Sequence, residues 1–157
     1  MSKSKVRMDG KELLKLKEQI ELLGDPDNID EFLSSCAKEL AARLLRKVSM
    51  KTPTGKYPDG SGKVGGTLKR GWTIGNVVKT GSYYIVEVIN PVVYASYVEN
   101  GHRQEVGRYV PAIGKRLVNG WVKGKFFLKI SEKEIQNNAP AIIEKKLRKY
   151  LEECFKK

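Results

Sequence analysis

The chain has 157 residues, enough for one folded unit that buries roughly 68–70% of its unfolded surface with no help from a disulfide or a metal. Apolar residues make up 40%, but no apolar run approaches the ~20 residues of a membrane span, so a membrane-embedded chain is excluded. Charged residues reach 31%, above the usual ~25%, with 30 Lys and Arg against 18 Asp and Glu. That composition points to a high surface-to-core ratio, or to a protomer that completes its packing in an assembly.

The positive charge is uneven. Residues 1–50 hold ten basic and nine acidic groups, residues 51–130 thirteen and four, and residues 131–157 seven and five. The helical ends are nearly neutral and the middle is strongly basic, which favours a polyanion or an acidic protein as partner. Residues 1–17 are polar and charged, so no signal peptide is expected and synthesis in the cytoplasm is. Cys36 and Cys154 stand in helical patterns beside apolar residues, away from any CxxC or Cys/His cluster, and read as small buried hydrophobes in a reducing compartment.

In chain order, residues 1–10 read as a flexible N-terminus. Leu13, Leu16, Ile20 and Leu23 then predict one face of an amphipathic helix that stops at Gly24. Asp25-Pro26 is a cap followed by a first-turn proline. Ile29, Leu33, Cys36, Leu40, Leu44 and Val48 predict a long helix over 27–50, ended by Pro53, in which Ala37, Ala41 and Ala42 allow close packing. Five glycines and a proline make 55–66 a long basic loop. Trp72–Val78 and Tyr83–Asn90 predict a β-hairpin around Thr80-Gly81-Ser82, and the apolar character of both faces of the second strand places it centrally in a sheet. Residues 92–98 fit either a strand or a short helix. A second glycine-punctuated basic loop follows Gly101, and Trp121-Val122 and 126–130 are the last strand candidates. The spacing of Ser131 and Glu134 predicts a capping box and a helix over 131–155, which Pro140 kinks or restarts from a cap at Asn137 or Asn138. The expected fold is one α+β domain over 1–157. Long N-terminal helices and a C-terminal helix pack on a small antiparallel sheet, within a β-rich region at 72–130, and long basic loops complete it.

No pattern for catalysis stands out. Gly60-Ser61-Gly62-Lys63-Val64-Gly65 has the bare GxGxxG spacing, but a helix precedes it and a strand follows, the reverse of a dinucleotide site. Val64 also stands where a P-loop needs a hydroxyl. His102, the only histidine, lies three residues after Glu99 with no nucleophile or metal partner signalled. Asp59, Glu87, Glu99 and Glu105 are too scattered for a two-metal nuclease. No cofactor or metal is expected. The basic residues Lys56, Lys63, Lys69, Arg70 and Arg108 interleave with Tyr57 and Tyr109, and DNA contacted by such loops would be held through its backbone rather than read. A stand-alone basic nucleic-acid-binding module, and behind it a nuclease, are the rival readings.

Three landmarks carry a resemblance: Thr52-Pro53-Thr54-Gly55 after the long helix, Thr67-Leu68-Lys69-Arg70-Gly71-Trp72, and Tyr94-Ala95-Ser96-Tyr97-Val98-Glu99-Asn100-Gly101 after the hairpin. In this order, over about 28–155, they resemble the tail-component family of tailed bacteriophages typified by the tenth gene product of an HK-type lambdoid phage. That family is similar in carrying Pro-x-x-Thr-Gly-x-Leu-Arg-x-Ser and Tyr-Ala-x-x-Val-Glu-x-Gly. Here the proline directly precedes Thr54-Gly55, residues 56–66 are extra, and Gly71 replaces a frequent serine. The resemblance implies a non-enzymatic virion protein of the head–tail junction, a neck or tail-completion subunit made in the bacterial host. Its implied partners are further copies in a ring around the DNA channel, the neighbouring neck, tail-terminator and tail-tube proteins, and the channel DNA. With it go an expected assembly interface at Tyr94, Val98, Glu99, Gly101, His102 and Arg103. Lys56, Lys63, Lys69, Arg70 and Arg108 are then expected to contact channel DNA or an acidic partner.

Overall fold

The computed structural model describes Lys17, Gly24 and residues 26–155 except Pro58, Ala112 and Ile113, and at Cys154 and Phe155 the backbone alone. The helix predicted over Leu13–Leu23, the Asp25 cap and the packing of Cys154 lie outside the described residues. The fold is helical with small antiparallel sheets, the α+β class expected from the element order.

Helix α1 spans Pro26–Lys51, and the predicted stripe is its buried face: Ile29, Leu33, Cys36, Leu40, Leu44 and Val48 are all nearly inaccessible. Phe32, Ala37 and Ala41 widen that stripe to the breadth a core-facing helix needs, while Ala42 faces outward. Helix α4, Phe127–Phe155, runs antiparallel along α1. Glu134 near its start pairs with Lys47 and Lys51, Lys146 with Glu39, and Tyr150 near its end stacks on Phe32 at 4.8 Å between ring centroids.

Helix α4 begins four residues before the predicted capping box. The cap comes from elsewhere in the chain, and Ser131 lies inside the helix with its buried hydroxyl donating to Phe127 O at 2.7 Å. Residues 127–130, expected as strand, form the first turn of α4. Pro140 is accommodated within one continuous helix, so no restart occurs at Asn137 or Asn138; the Asn138 amide donates to Glu134 O at 2.7 Å.

Between α1 and α4 the chain makes a short helix α2 (Thr67–Arg70), strands β1 (Thr73–Ile74), β2 (Val78–Thr80), β3 (Tyr83–Ile85) and β4 (Val88–Ile89), and then helix α3 (Ala95–Asn100). The hairpin is present, but its ladder is broken. β1 pairs with β4 and β2 with β3, and between the two ladders residues 75–77 oppose only 86–87. This is a β-bulge, pinned by Gly75 N donating to Glu87 O at 2.7 Å. The second strand is therefore not central in a larger sheet. Its inner face, Val86 and Val88, packs on α1, and the other face is partly covered or exposed. The ambiguous stretch 92–98 resolves as a turn at Val93-Tyr94 leading into helix α3.

Gly101 to Lys123, expected as a basic loop up to the strand candidate at Trp121-Val122, form a second broken hairpin, an arm made of β5 (Gly101–Arg103), β6 (Tyr109–Val110), β7 (Lys115–Arg116) and β8 (Trp121–Lys123). Gln104 N to Gly120 O, Gly107 N to Leu117 O and Leu117 N to Arg108 O, all at 2.8–2.9 Å, carry the pairing between its root and its tip.

The core lies between α1 and α4. Its larger part joins Leu40, Leu44 and Val48 to Leu68, Trp72, Val88, Ala95, Phe127 and Ile135. A smaller part joins Ile29, Phe32, Leu33 and Cys36 to Tyr84, Leu147 and Tyr150.

Candidate functional site

The three sequence landmarks meet at the C-terminal end of α1. Thr52, buried one residue past the helix, donates its hydroxyl to Val48 O at 2.6 Å and accepts from Trp72 Nε1 at 2.8 Å. A buried indole N–H and a buried hydroxyl thus satisfy each other and the open end of the helix. Asn90, also buried, donates to Leu68 O at 2.7 Å and accepts from Val92 N at 3.1 Å, tying α2 to the chain that enters α3. The landmarks act first as a polar joint within the fold.

Glu99 lies in the third landmark, and its carboxylate is spent inside the protein. Oε2 accepts from Leu128 N at 2.9 Å and Oε1 from Lys129 N at 3.0 Å, so Glu99 caps α4 from a segment 29 residues away. A carboxylate at a helix N-terminus satisfies orphan N–H groups and meets the positive end of the helix dipole. Phe126 turns the chain into that helix with φ of 50°, and its N–H and that of Lys125 donate to Glu99 O and Val98 O. Gly124 permits the close approach, since a Cβ there would lie 2.3 Å from Glu99 O. Nearby Glu132 has its carboxyl pushed above the usual range by burial and then by the charge of Glu99.

The remaining expected interface residues are divided by this arrangement. Tyr94 is 45% exposed and Arg103 is exposed, whereas Val98, Gly101 and His102 are half-buried. His102 lies against Tyr97, 5.5 Å between ring centroids, and its buried Nδ1 has no hydrogen-bond partner. Glu99 and His102 do not form the pair considered from sequence, because the carboxylate turns toward α4. Tyr94 and Val98 line a cleft of about 320 Å³ whose opposite wall is the glycine-rich loop, including Gly55, Tyr57, Val64 and Gly65; Lys125 sits at its edge.

The loop itself is pinched shut. A Cβ on Gly65 would lie 2.0 Å from Gly55 O, so the two ends of residues 56–64 meet through bare backbone. Arg70 Nη1 donates to Gly65 O at 3.1 Å across the neck. Lys63 lies 5.9 Å from the Tyr57 ring centroid, and Lys56, Lys63, Lys69, Arg70 and Arg108 are all exposed.

Charge is distributed by layer. The ion pairs Arg43–Glu39, Lys146–Glu39, Lys47–Glu134, Lys51–Glu134, Arg148–Glu144 and Lys149–Glu153 balance the two long helices, and Lys79–Asp30 ties β2 to α1. Lys47 and then Lys51 hold the Glu134 carboxyl down at about 2, and Lys79 followed by Tyr84 holds Asp30 below the usual range. On the arm and just past its root, Arg103, Arg108, Lys115, Arg116, Lys123 and Lys125 are exposed against the single carboxylate Glu105. Among the described residues no carboxylate pairs with any of these six, nor with Lys56, Lys63, Lys69 or Arg70. Sequence reasoning caught the basic middle of the chain but missed the arm that displays it. Alternation of half-buried His102, Gln104 and Val122 with exposed Arg103, Trp121 and Lys123 was the available signal.

Among the described residues no group of three or more His, Cys, Asp or Glu could hold a metal ion, and no helix is long and apolar enough to cross a membrane. A polar joint, a capped helix and a basic arm are the features the sequence landmarks and the basic middle of the chain build. The family model described as "Bacteriophage HK97-gp10, putative tail-component" matches residues 15–101, more than half of the chain, and the chain belongs to that family. It is accordingly a phage structural protein, whose setting is the phage particle and whose partners are other phage structural proteins. The match takes in all three landmarks and stops at Gly101, so the arm and α4 lie beyond it. No curated protein and no solved structure matches the chain.

Proposed function

We propose that the protein is a subunit of the head–tail junction, a neck or tail-completion protein that assembles as a ring around the DNA channel. The observation that carries this reading is the segregation of charge. Balanced helices offer surfaces on which like-charged copies can pack side by side, while unpaired cations gather on the arm and the pinched loop. Heterologous ring contacts need no apolar two-fold patch, which suits a helix layer edged with ion pairs. In this reading Tyr94, Val98, Gly101, His102 and Arg103 form the contact between subunits, with Glu99 holding them in place from beneath. Lys56, Lys63, Lys69, Arg70 and Arg108 face the channel DNA or an acidic neighbour among the neck, tail-terminator and tail-tube proteins.

Electron microscopy of purified particles, with the chain located by its map, tests the proposal. A ring of copies between head and tail is expected, and Arg103→Ala is expected to weaken ring formation. Density at the distal tail tip, or intact rings from Arg103→Ala, would count against it. The unpaired cations also support a second reading, a basic module that binds nucleic acid alone. Binding of the isolated monomer to a duplex DNA, with a steep fall in affinity as salt rises, would favour that reading instead.

A further inference from the structure

The arm combines cations with exposed apolar side chains, and the combination selects its partner. Val106 and Val118 are 63% and 79% exposed, and Tyr109 and Trp121 are 53% and 55% exposed. Trp121 stands directly opposite Arg103 and Tyr109 opposite Arg116, so each ring shares a face of the ribbon with a guanidinium. Arg116 Nη1 also donates to Gly107 O at 2.8 Å, which fastens one strand of the tip to the other. A phosphodiester backbone would use the cations alone and would leave the valines in water. Aromatic residues and arginine around apolar side chains form the composition of a protein-binding centre, because desolvation there strengthens both kinds of contact.

We infer that the arm is a docking element that inserts into an acidic-rimmed apolar slot on a different protein of the particle. The grooves a second copy offers among the described residues are less suited: around Phe32 and Tyr150, Glu31 and Glu153 share a groove of about 290 Å³ with Lys146 and Lys149. A wider groove, about 1010 Å³ between α1 and α4, is lined by Arg43, Arg46, Lys47, Lys145, Lys146 and Lys149. Glu39, the one carboxylate lining that groove, is already paired with Arg43 and Lys146. Repulsion between like charges excludes the basic arm from it. The inference rests on the proposed place of the chain in the particle and adds the chemistry of the partner.

The test places the photo-cross-linking residue p-benzoylphenylalanine at Val118 in full-length chains assembled into particles. Adducts are identified by mass spectrometry, with the same residue at Met50 marking the helix groove. The expected result is a Val118 adduct with another particle protein at a segment rich in Asp and Glu. Arg108→Glu combined with Lys115→Glu is expected to lower its yield by more than about tenfold, the loss that follows disruption of an interface centre, with thermal unfolding unchanged. A Val118 adduct with a second copy or with DNA, or none in particles that contain the chain, overturns the inference and leaves the structural role standing. Particles that lack the chain overturn the proposed role and the inference with it.

Discussion

Two backbone N–H groups at the start of α4 depend on one side chain, Glu99. Glu99→Ala leaves both donors without a partner at a buried position, a loss of about 1–3 kcal/mol. Glu99→Gln keeps an acceptor but removes the charge that meets the helix dipole, and falls between the two. Urea unfolding of the three proteins checks the order. Equal midpoints would show that the carboxylate does not hold the helix, and its place in the landmark would then have to come from contact between subunits. The landmark was legible as a pattern, Val98-Glu99-x-Gly101, but the destination of its carboxylate was not. A cap supplied from 29 residues away leaves no local spacing, whereas Ser131 and Glu134 offered a local spacing that the fold does not use. Gly124 was unmarked for the same reason, because its need for a bare Cα arises only when the backbone of Glu99 passes beside it.

At the scale of elements, legibility followed periodicity. The stripe of α1 repeats for six positions, and the structure extends that helix by one residue at each end of the predicted 27–50. The hairpins were harder to read, since a bulge in the first and longer gaps in the second interrupt the alternation that identifies strands. Glycines at 107, 114 and 120 therefore made the arm look like a loop. The glycine-rich stretch is the reverse case. Its five glycines mark it as a loop, and the structure adds that Gly55 and Gly65 close it on itself. An excursion that leaves and returns through the same point contributes little to the core. Replacing residues 56–64 by Gly-Gly is thus expected to keep the fold, with stability changed by no more than about 1–2 kcal/mol, since each halving of a loop alters its closure entropy by only ~0.6 kcal/mol and this cut is roughly two halvings. Thermal unfolding monitored by the fluorescence of buried Trp72 measures this. A loss of several kcal/mol would mean that the loop braces α2 rather than hanging from it.

For the whole molecule, charge is the organising variable, and pH separates its two layers. The helix layer and β2 hold three carboxylates below their usual range: Glu134, down from 4.5 to about 2 through Lys47 and Lys51, Glu39 through Arg43 and Lys146, and Asp30 through Lys79 and Tyr84. Each is bound less tightly by protons in the folded chain than in the unfolded one. For Glu134 the contribution to stability is therefore complete above about 4.5 and is lost as pH falls toward about 2, and Glu39 and Asp30 act in the same direction. Glu132 acts in the opposite sense, because a carboxyl raised by burial favours the folded chain at low pH and loses that effect as pH rises through its folded value. The unpaired cations of the arm add repulsion that salt relieves. Urea midpoints measured between pH 5 and pH 2 at fixed ionic strength are expected to fall in the native chain and to fall less steeply in Glu134→Gln. Arg103→Ala should keep the native slope, since its guanidinium has no carboxylate to lose. If Glu134→Gln instead parallels the native chain over that range, the pairs joining α1 to α4 do not govern acid stability. The balanced helix layer would then be a surface for neighbouring subunits more than a support for the fold.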